Sequence, residues 1–297
     1  MSVLEELQAA VASVAQQAGP AVVGIGQRQR GSGVIVANGR VVTNAHNLRG
    51  GETTVRFADG RTATGRVAGV DWDGDLAVVE VDTTGATPLG FGDGQPSVGA
   101  AVFGAAATPS GAPRVTVGFV SSVERAFRGP GGRRIAGSIE HTAPLASGSS
   151  GGALVDATGR LVGLNTNRVG EGFYLALPAD SAFQERIEAL ARGEEPSRPR
   201  LGIAVAPSAI AIRMRQSVGL PAREGLLVRG VEDDSLASKA GILEGDLIVE
   251  VAGQSVSEVD ALYELLGKVE LPFEVKLVRG TEERTVSVGG GDAQGEA

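Results

Sequence analysis

The chain has no cysteine and only two histidines, His46 and His141, among its 297 residues. Without cysteine there are no disulfides, thiolate-bound zinc, iron–sulfur clusters or thiol nucleophiles. Two histidines are too few for a His-rich metal centre, so the sequence calls for no metal and no cofactor. The missing cysteine does not fix the compartment, because secreted proteins can also lack disulfides. Positive charge is in the minority: 27 Lys and Arg against 35 Asp and Glu give a net charge of −8 and a pI near 5.0. Nucleic-acid binding as a primary role is therefore disfavoured. Long apolar runs are absent too. The longest uncharged stretch, Gly94 to Pro113, is broken by Gly, Pro and Ser and cannot span a membrane. No basic start followed by an apolar run opens the sequence. As it stands the chain reads as cytoplasmic; a removed leader or anchor would make it extracytoplasmic.

Aromatics are scarce at 4%, while hydrophobic residues reach 42%, enough for a sizeable core. A mainly disordered chain is thereby excluded. Glycine, at 45 residues, is about twice its usual share of ~7%. It follows no G-X-Y period, which rules out a collagen-like chain. Many glycines, few aromatics and abundant Val predict short strands joined by tight turns.

Residues 1–20 read as an N-terminal helix. Ser2 and Glu5 form a capping box, Leu4, Leu7, Val11 and Val14 share one face, and Gly19-Pro20 stops it. That face is expected to pack on the next domain. A membrane-surface role is disfavoured, because the polar face carries Glu and Gln and no Lys or Arg. From Ala21 to Leu177 about a dozen short runs read as strands of a barrel or sandwich, with Asn38-Gly39 as a hairpin turn and Asp59-Gly60 as another turn. Ser181–Arg192 is helical, closing a domain over 21–192. Residues 193–200, charged and holding Pro196 and Pro199, read as a linker. A second domain over 201–290 mixes strands with a helix near Val259–Lys268, and 291–297 is a Gly-containing tail expected to be disordered.

The strongest chemical signal is Ser147-Gly148-Ser149-Ser150-Gly151-Gly152. A serine among glycines suits a nucleophile on a sharp turn, with backbone N–H groups beside it to hold an oxyanion. The same residues also suit a plain surface loop. They satisfy the G-x-S-x-G elbow of α/β-hydrolases, but that fold needs its histidine after the serine, and none follows His141. An esterase of that kind is therefore argued against. The order His, Asp, Ser survives, in which a histidine takes the serine's proton and a carboxylate holds the histidine's tautomer. His46 ends the strand-like Val41–Ala45 ahead of a loop, where a side chain can project into a cleft. His141 lies inside strand-like Ile139–Thr142 and reads as structural. Asp75 opens the buried-looking Leu76–Val79, where a carboxylate is costly without a partner. Asp71 and Asp73 read as turn residues.

These motifs resemble those of the HtrA (Deg) family of trypsin-like serine proteases. Thr43-Asn44-Ala45-His46 is similar to the family's TNAH, Asp75-Leu76-Ala77-Val78 to its DLAV, and Gly148-Ser149-Ser150-Gly151-Gly152 to its GNSGG. The resemblance implies a mainly β fold: a trypsin-like pair of six-stranded β-barrels followed by an α+β PDZ domain. It implies His46, Asp75 and Ser150 as the catalytic triad and the N–H groups of Gly148 and Ser150 as the oxyanion hole. Asn47 departs from the usual Val, Ser149 from Asn and Ala153 from Pro; none of these removes a catalytic group. Pro144 falls where trypsin carries its pocket-floor Asp, and no acid lies between Thr142 and Ser150. Leu145 and Leu164 are the expected lining of a small apolar substrate pocket. The loop Arg125–Arg134, with four arginines, reads as a solvated hairpin tip; in the family the loop here senses activators. Family trimers pack through aromatics near the N-terminus. A homotrimer is implied here, although no aromatic precedes Phe57.

Lys239–Ile248 resembles the PDZ signature, a mark of fold rather than catalysis. PDZ domains bind C-terminal peptides by strand addition. By resemblance Leu201, Gly202 and Ile203 form the carboxylate-binding loop. Leu262 and Leu266 read equally as groove lining or as core. The function expected is an endopeptidase acting on unfolded polypeptides, with C-terminal peptides held at the PDZ domain. A catalytically idle chaperone or peptide-binding scaffold is the alternative.

Overall fold

A computed structural model describes residues 2–92, 96–130, 134–194 and 201–290. The chain divides into two compact units, Met1–Pro196 and Ser197–Ala297. Residues 195–200 of the expected linker and the expected tail over 291–297 lie outside the described residues.

The first unit opens with α1 (Val3–Ala18), whose capping box is formed: Glu5 N donates to Ser2 Oγ at 3.3 Å and Ser2 N to Glu5 Oε2 at 2.7 Å. Its apolar stripe is used only in part. Val14 and Ala18 are buried, whereas Leu4 and Leu7 stay 76% and 44% exposed. The expectation that the whole face packs is corrected, because the core beneath the helix reaches only as far as Ala10 and Val11.

Two closed barrels follow. In the first, β1 (Val22–Ile25), β2 (Gly31–Ala37), β3 (Arg40–Thr43), β4 (Glu52–Arg56), β5 (Thr62–Asp71) and β6 (Leu76–Glu80) are ordered β1-β2-β3-β6-β5-β4. The tight turns need left-handed residues, and Gly39 and Gly60 supply them with φ of 75° and 88°. Strand β5 has no counterpart in the sequence reading, because Gly65 and Gly69 break its apolar alternation. Both glycines answer to close packing. A Cβ on Gly65 would lie 2.5 Å from Val79 Cγ1, and one on Gly69 2.5 Å from Leu190 O. The second barrel holds β7 (Ala101–Ala107), β8 (Pro113–Arg128), β9 (Arg134–His141), β10 (Ala153–Val155), β11 (Leu161–Arg168) and β12 (Tyr174–Pro178), ordered β10-β11-β12-β9-β8-β7. Helix α2 (Ser181–Ala191), capped by Asp180 Oδ1 on Phe183 N, buries Phe183, Ile187 and Leu190 in the core of the first barrel.

The second unit is a sheet in the order β13-β14-β15-β17-β18, made of β13 (Ile203–Ala206), β14 (Leu226–Val231), β15 (Leu247–Val251), β17 (Phe273–Arg279) and β18 (Glu282–Val288). A short β16 (Gln254–Ser255) pairs with β15. Among the described residues, helices α3 (Ser208–Ser217), α4 (Leu236–Lys239) and α5 (Val259–Leu266) accompany it. Helix α3 is not legible as an amphipathic pattern, since the residues it buries are Ser208, Ala211 and Arg215. Among the described residues no helix is long and apolar enough to cross a membrane.

Candidate active site

Chain entry into and exit from the first barrel's strands sets the histidine and the carboxylate. His46 sits on a single 3-10 turn, Ala45–Asn47, directly after β3. Asp75 precedes β6 with φ of 51°, a left-handed conformation that a non-glycine residue holds only when its surroundings fix it. Here they do. Asn44 Nδ2 donates to the Asp75 carbonyl at 3.0 Å. The Asp75 carboxylate, 1% exposed, faces three donors: His46 Nδ1 at 2.9 and 3.0 Å from its two oxygens, His46 N at 3.2 Å and Thr166 Oγ1 at 2.7 Å. Those donors offset the cost of burying the carboxylate. As an acceptor at Nδ1 it fixes the imidazole tautomer with the proton on Nδ1, which leaves Nε2 free to accept one. The sequence reading missed Thr166, whose hydroxyl comes from β11 of the second barrel and is tied to Asp75 only by the fold.

Ser150 lies in the turns between β9 and β10. Its Oγ donates to the Thr166 carbonyl at 2.8 Å. Among the described residues no hydrogen bond joins it to His46. A rotation about its Cα–Cβ bond, between staggered wells, re-aims the hydroxyl; such bonds are often unmade until substrate is present. The backbone around it leaves two donors over. Ser149 N is bonded to Ala146 O, Gly151 N to Asn165 O and Gly152 N to Ser149 O. Among the described residues the N–H groups of Gly148 and Ser150 have no protein acceptor. Gly148 takes φ of 83°, which a side chain would resist.

The remaining expected site residues fall in different places. Leu145 is half-buried, with Cδ2 2.8 Å from where a Cβ on Gly104 would stand. Leu164 does not line an open pocket: it is fully buried in the core, paired with Ala153 and Leu177 on the neighbouring strands. In the second unit Leu262 and Leu266 are buried, 3% and 6% exposed, and pack in the core cluster of that unit. Leu201 is likewise core, Gly202 takes φ of 72°, and Ile203 is half-buried at the start of the edge strand β13. His141 is fully buried in β9, with Nε2 3.0 Å from Asn165 Oδ1. Burial pushes its imidazole down to about 4, against the raising effect of the Asn165 bond. In the basic hairpin, Arg125 pairs with Glu140 at 2.9 Å; residues 131–133 lie outside the described residues.

Residues 31–164 match the trypsin-like peptidase domain family and residues 227–279 the PDZ domain family. The chain is 31% identical over 276 residues to a probable periplasmic serine endoprotease DegP-like from Halomonas elongata, covering 90% of this chain and 57% of that protein. It is 30% identical over 286 residues to a putative serine protease HhoA from Synechocystis, covering 87% of this chain and 70% of that one. It thus spans little more than half the length of some curated relatives. Among solved structures, the HtrA-type protease AlgW with decapeptide superposes with a TM-score of 0.70 at 24% identity, covering 94% of this chain and 97% of that chain. The serine endoprotease from Yersinia pestis superposes with a TM-score of 0.67 at 26% identity, covering 94% and 96%. Two closed six-stranded barrels ahead of a PDZ unit, matched along most of the chain to these proteins, mean that the chain belongs to the HtrA family of trypsin-like serine proteases.

Proposed function

We propose that the chain is a serine endopeptidase acting on unfolded polypeptides, with Ser150 as nucleophile, His46 as general base and Asp75 as its orienting carboxylate. The observation that carries this reading is the His46–Asp75 pair together with a serine turn in which, among the described residues, the N–H groups of Gly148 and Ser150 have no protein acceptor. Ser150 Oγ attacks the scissile carbonyl while His46 Nε2 takes its proton. The oxyanion of the tetrahedral intermediate is held by the N–H groups of Gly148 and Ser150. His46 then protonates the leaving amine, and water hydrolyses the acyl-enzyme by the same steps in reverse roles. Asp75 accepts from Nδ1–H and stabilises the imidazolium. With no acid between Thr142 and Ser150, a Lys or Arg side chain beside Leu145 would lack a counter-charge, so the residue before the cut is small and apolar.

In the second unit, among the described residues, strand β13 pairs only with β14 and its other edge has no strand beside it. This supports capture of C-terminal peptides by strand addition, with the carboxylate at Leu201, Gly202 and Ile203. The homotrimer implied by the family stays part of the proposal, with the exposed Val3, Leu4 and Leu7 as apolar surface for a second copy.

The test is hydrolysis of unfolded casein with and without a serine-directed phosphonate, alongside Ser150→Ala. The expected result is cleavage after small aliphatic residues, labelling at Ser150, and loss of several orders of magnitude in rate in the folded variant. Casein cleaved by Ser150→Ala at the unaltered rate would refute the nucleophile. No cleavage and no label in the unaltered chain would leave a peptide-binding scaffold.

A further inference from the structure

Around Ser150 runs a second set of polar contacts that the triad does not use. Asn47, the residue after His46 and the last of its 3-10 turn, is 3% exposed. Its Nδ2 donates to the Ser150 carbonyl at 2.9 Å and to Thr43 Oγ1 at 2.9 Å. A carbonyl can only accept, so the amide nitrogen must face it. Ser32 N donates to the same Ser150 carbonyl at 2.7 Å. The nucleophile's carbonyl thus takes two N–H groups, both from the first barrel. Ser32 Oγ accepts from Ala107 N at 3.1 Å and donates to the Gly148 carbonyl at 2.8 Å. Thr43 Oγ1 closes the circuit by donating to Ser32 O at 2.7 Å. Two glycines make room. A Cβ on Gly31 would stand 2.2 Å from Asn47 Nδ2, and one on Gly151 2.1 Å from Ser32 O.

We propose that Asn47 and Ser32 are positioning residues for acyl transfer, joining the turn that carries His46 to the backbone that carries Ser150. The peptide between Ser149 and Ser150 bears one of the two oxyanion donors. It lies between the Gly148 and Ser150 carbonyls, and both of those are pinned to the first barrel. Base and nucleophile sit on different barrels, and Asn47 is a one-residue spacer between them. Loosening it lets the nucleophile's peptide tilt and the separation of Ser150 from His46 drift, while the substrate-binding surface stays as it was. The cost therefore falls on the transition state, where orientation counts most.

The inference rests on the endopeptidase reading and has its own test. Full-length Asn47→Asp keeps the shape and, when ionised, has no donor for the Ser150 carbonyl. Ser32→Ala keeps the backbone N–H and removes the hydroxyl that holds Gly148. For each, kcat and KM are measured on a chromogenic peptide. Affinities are measured for a peptide boronate, which forms a tetrahedral adduct, and for the matching product peptide, which does not. We expect kcat to fall about 100-fold, the cost typical of a small misplacement of reacting groups. Boronate affinity should fall in step, while KM and product affinity change little and the thermal melt is kept. Folded variants with unaltered kcat would overturn the proposal, as would product affinity falling as far as boronate affinity. If Asn47→Asp does not fold, Ser32→Ala decides through the Gly148 arm. An unaltered chain that neither cleaves nor binds the boronate overturns the endopeptidase reading, and this proposal with it.

Discussion

His141 shows how one residue type serves two ends in this chain. His46 is partly open and bonded to a carboxylate, whereas His141 is sealed in the second barrel against Asn165 and stacked on Tyr174 at 5.9 Å. Its folded value near 4 lies below the 6.5 of an unperturbed histidine. Between those values the unfolded chain binds a proton that the folded chain refuses. The contribution of this site is therefore complete above pH 6.5 and is lost as pH falls towards 4. The slope is at most about 1.4 kcal/mol per pH unit. The single tryptophan, Trp72, lies in the first unit and reports its unfolding. Urea titrations followed at Trp72 should show a steeper acid-side loss for the unaltered chain than for His141→Gln. Parallel curves would mean that His141 is not held neutral. The places of the two histidines were legible in the sequence, one after a strand's end and one within a strand. The partners that fix Asp75 were not, because Thr166 and Asn44 reach it only once both barrels have closed.

At the scale of the element, the second unit's turn before β15 is held by one ion pair. Asp246 is 1% exposed and takes a two-pronged contact from Arg279 on β17, Nε to Oδ1 and Nη2 to Oδ2, each at 2.8 Å. The same carboxylate accepts from Leu243 N at 2.9 Å, and Arg279 also donates to Gly241 O at 2.8 Å. Planar bidentate pairing of this kind specifies geometry as well as adding energy. The pair raises the Arg279 pKa, the hydrogen bond to Asp246 being the main cause. Asp246→Ala should cost the second unit about 2 kcal/mol, the worth of hydrogen bonds to a charged group. Calorimetry should show a lowered transition for that unit while the Trp72 transition stays in place. No change in either would mean the pair is neutral to folding. The sequence announced this turn through its glycines and the Asp246-Leu247-Ile248 run, but not its clasp, since Arg279 stands 33 residues away. Helix α3 and strand β5 escaped for a related reason. Their glycines, alanines and buried arginine answer to close packing, which hydrophobic periodicity does not record.

At the scale of the whole molecule, a trypsin-like unit and a PDZ unit share one chain. On the proposed function, a polypeptide held by its C-terminus in the second unit shares a chain with the protease unit, and its cleavage would become a tethered reaction at raised effective concentration. A short peptide cut directly gains nothing from such capture. The two substrates therefore separate tethering from activation. Truncation after Arg192 should lower the rate on casein several-fold and leave a short chromogenic peptide unaffected. Activation would need more, since a bound C-terminus changes the rate on the short peptide only if it favours the active arrangement around Ser150 over another. Adding an apolar-ended peptide to the full chain tests for that, and under tethering alone it should slow casein by competition without speeding the short substrate. If it speeds the short substrate in the full chain and not in the truncated one, the second unit acts as a regulator. If truncation alters neither rate, peptide capture has no part in proteolysis and the second unit serves another end, such as assembly.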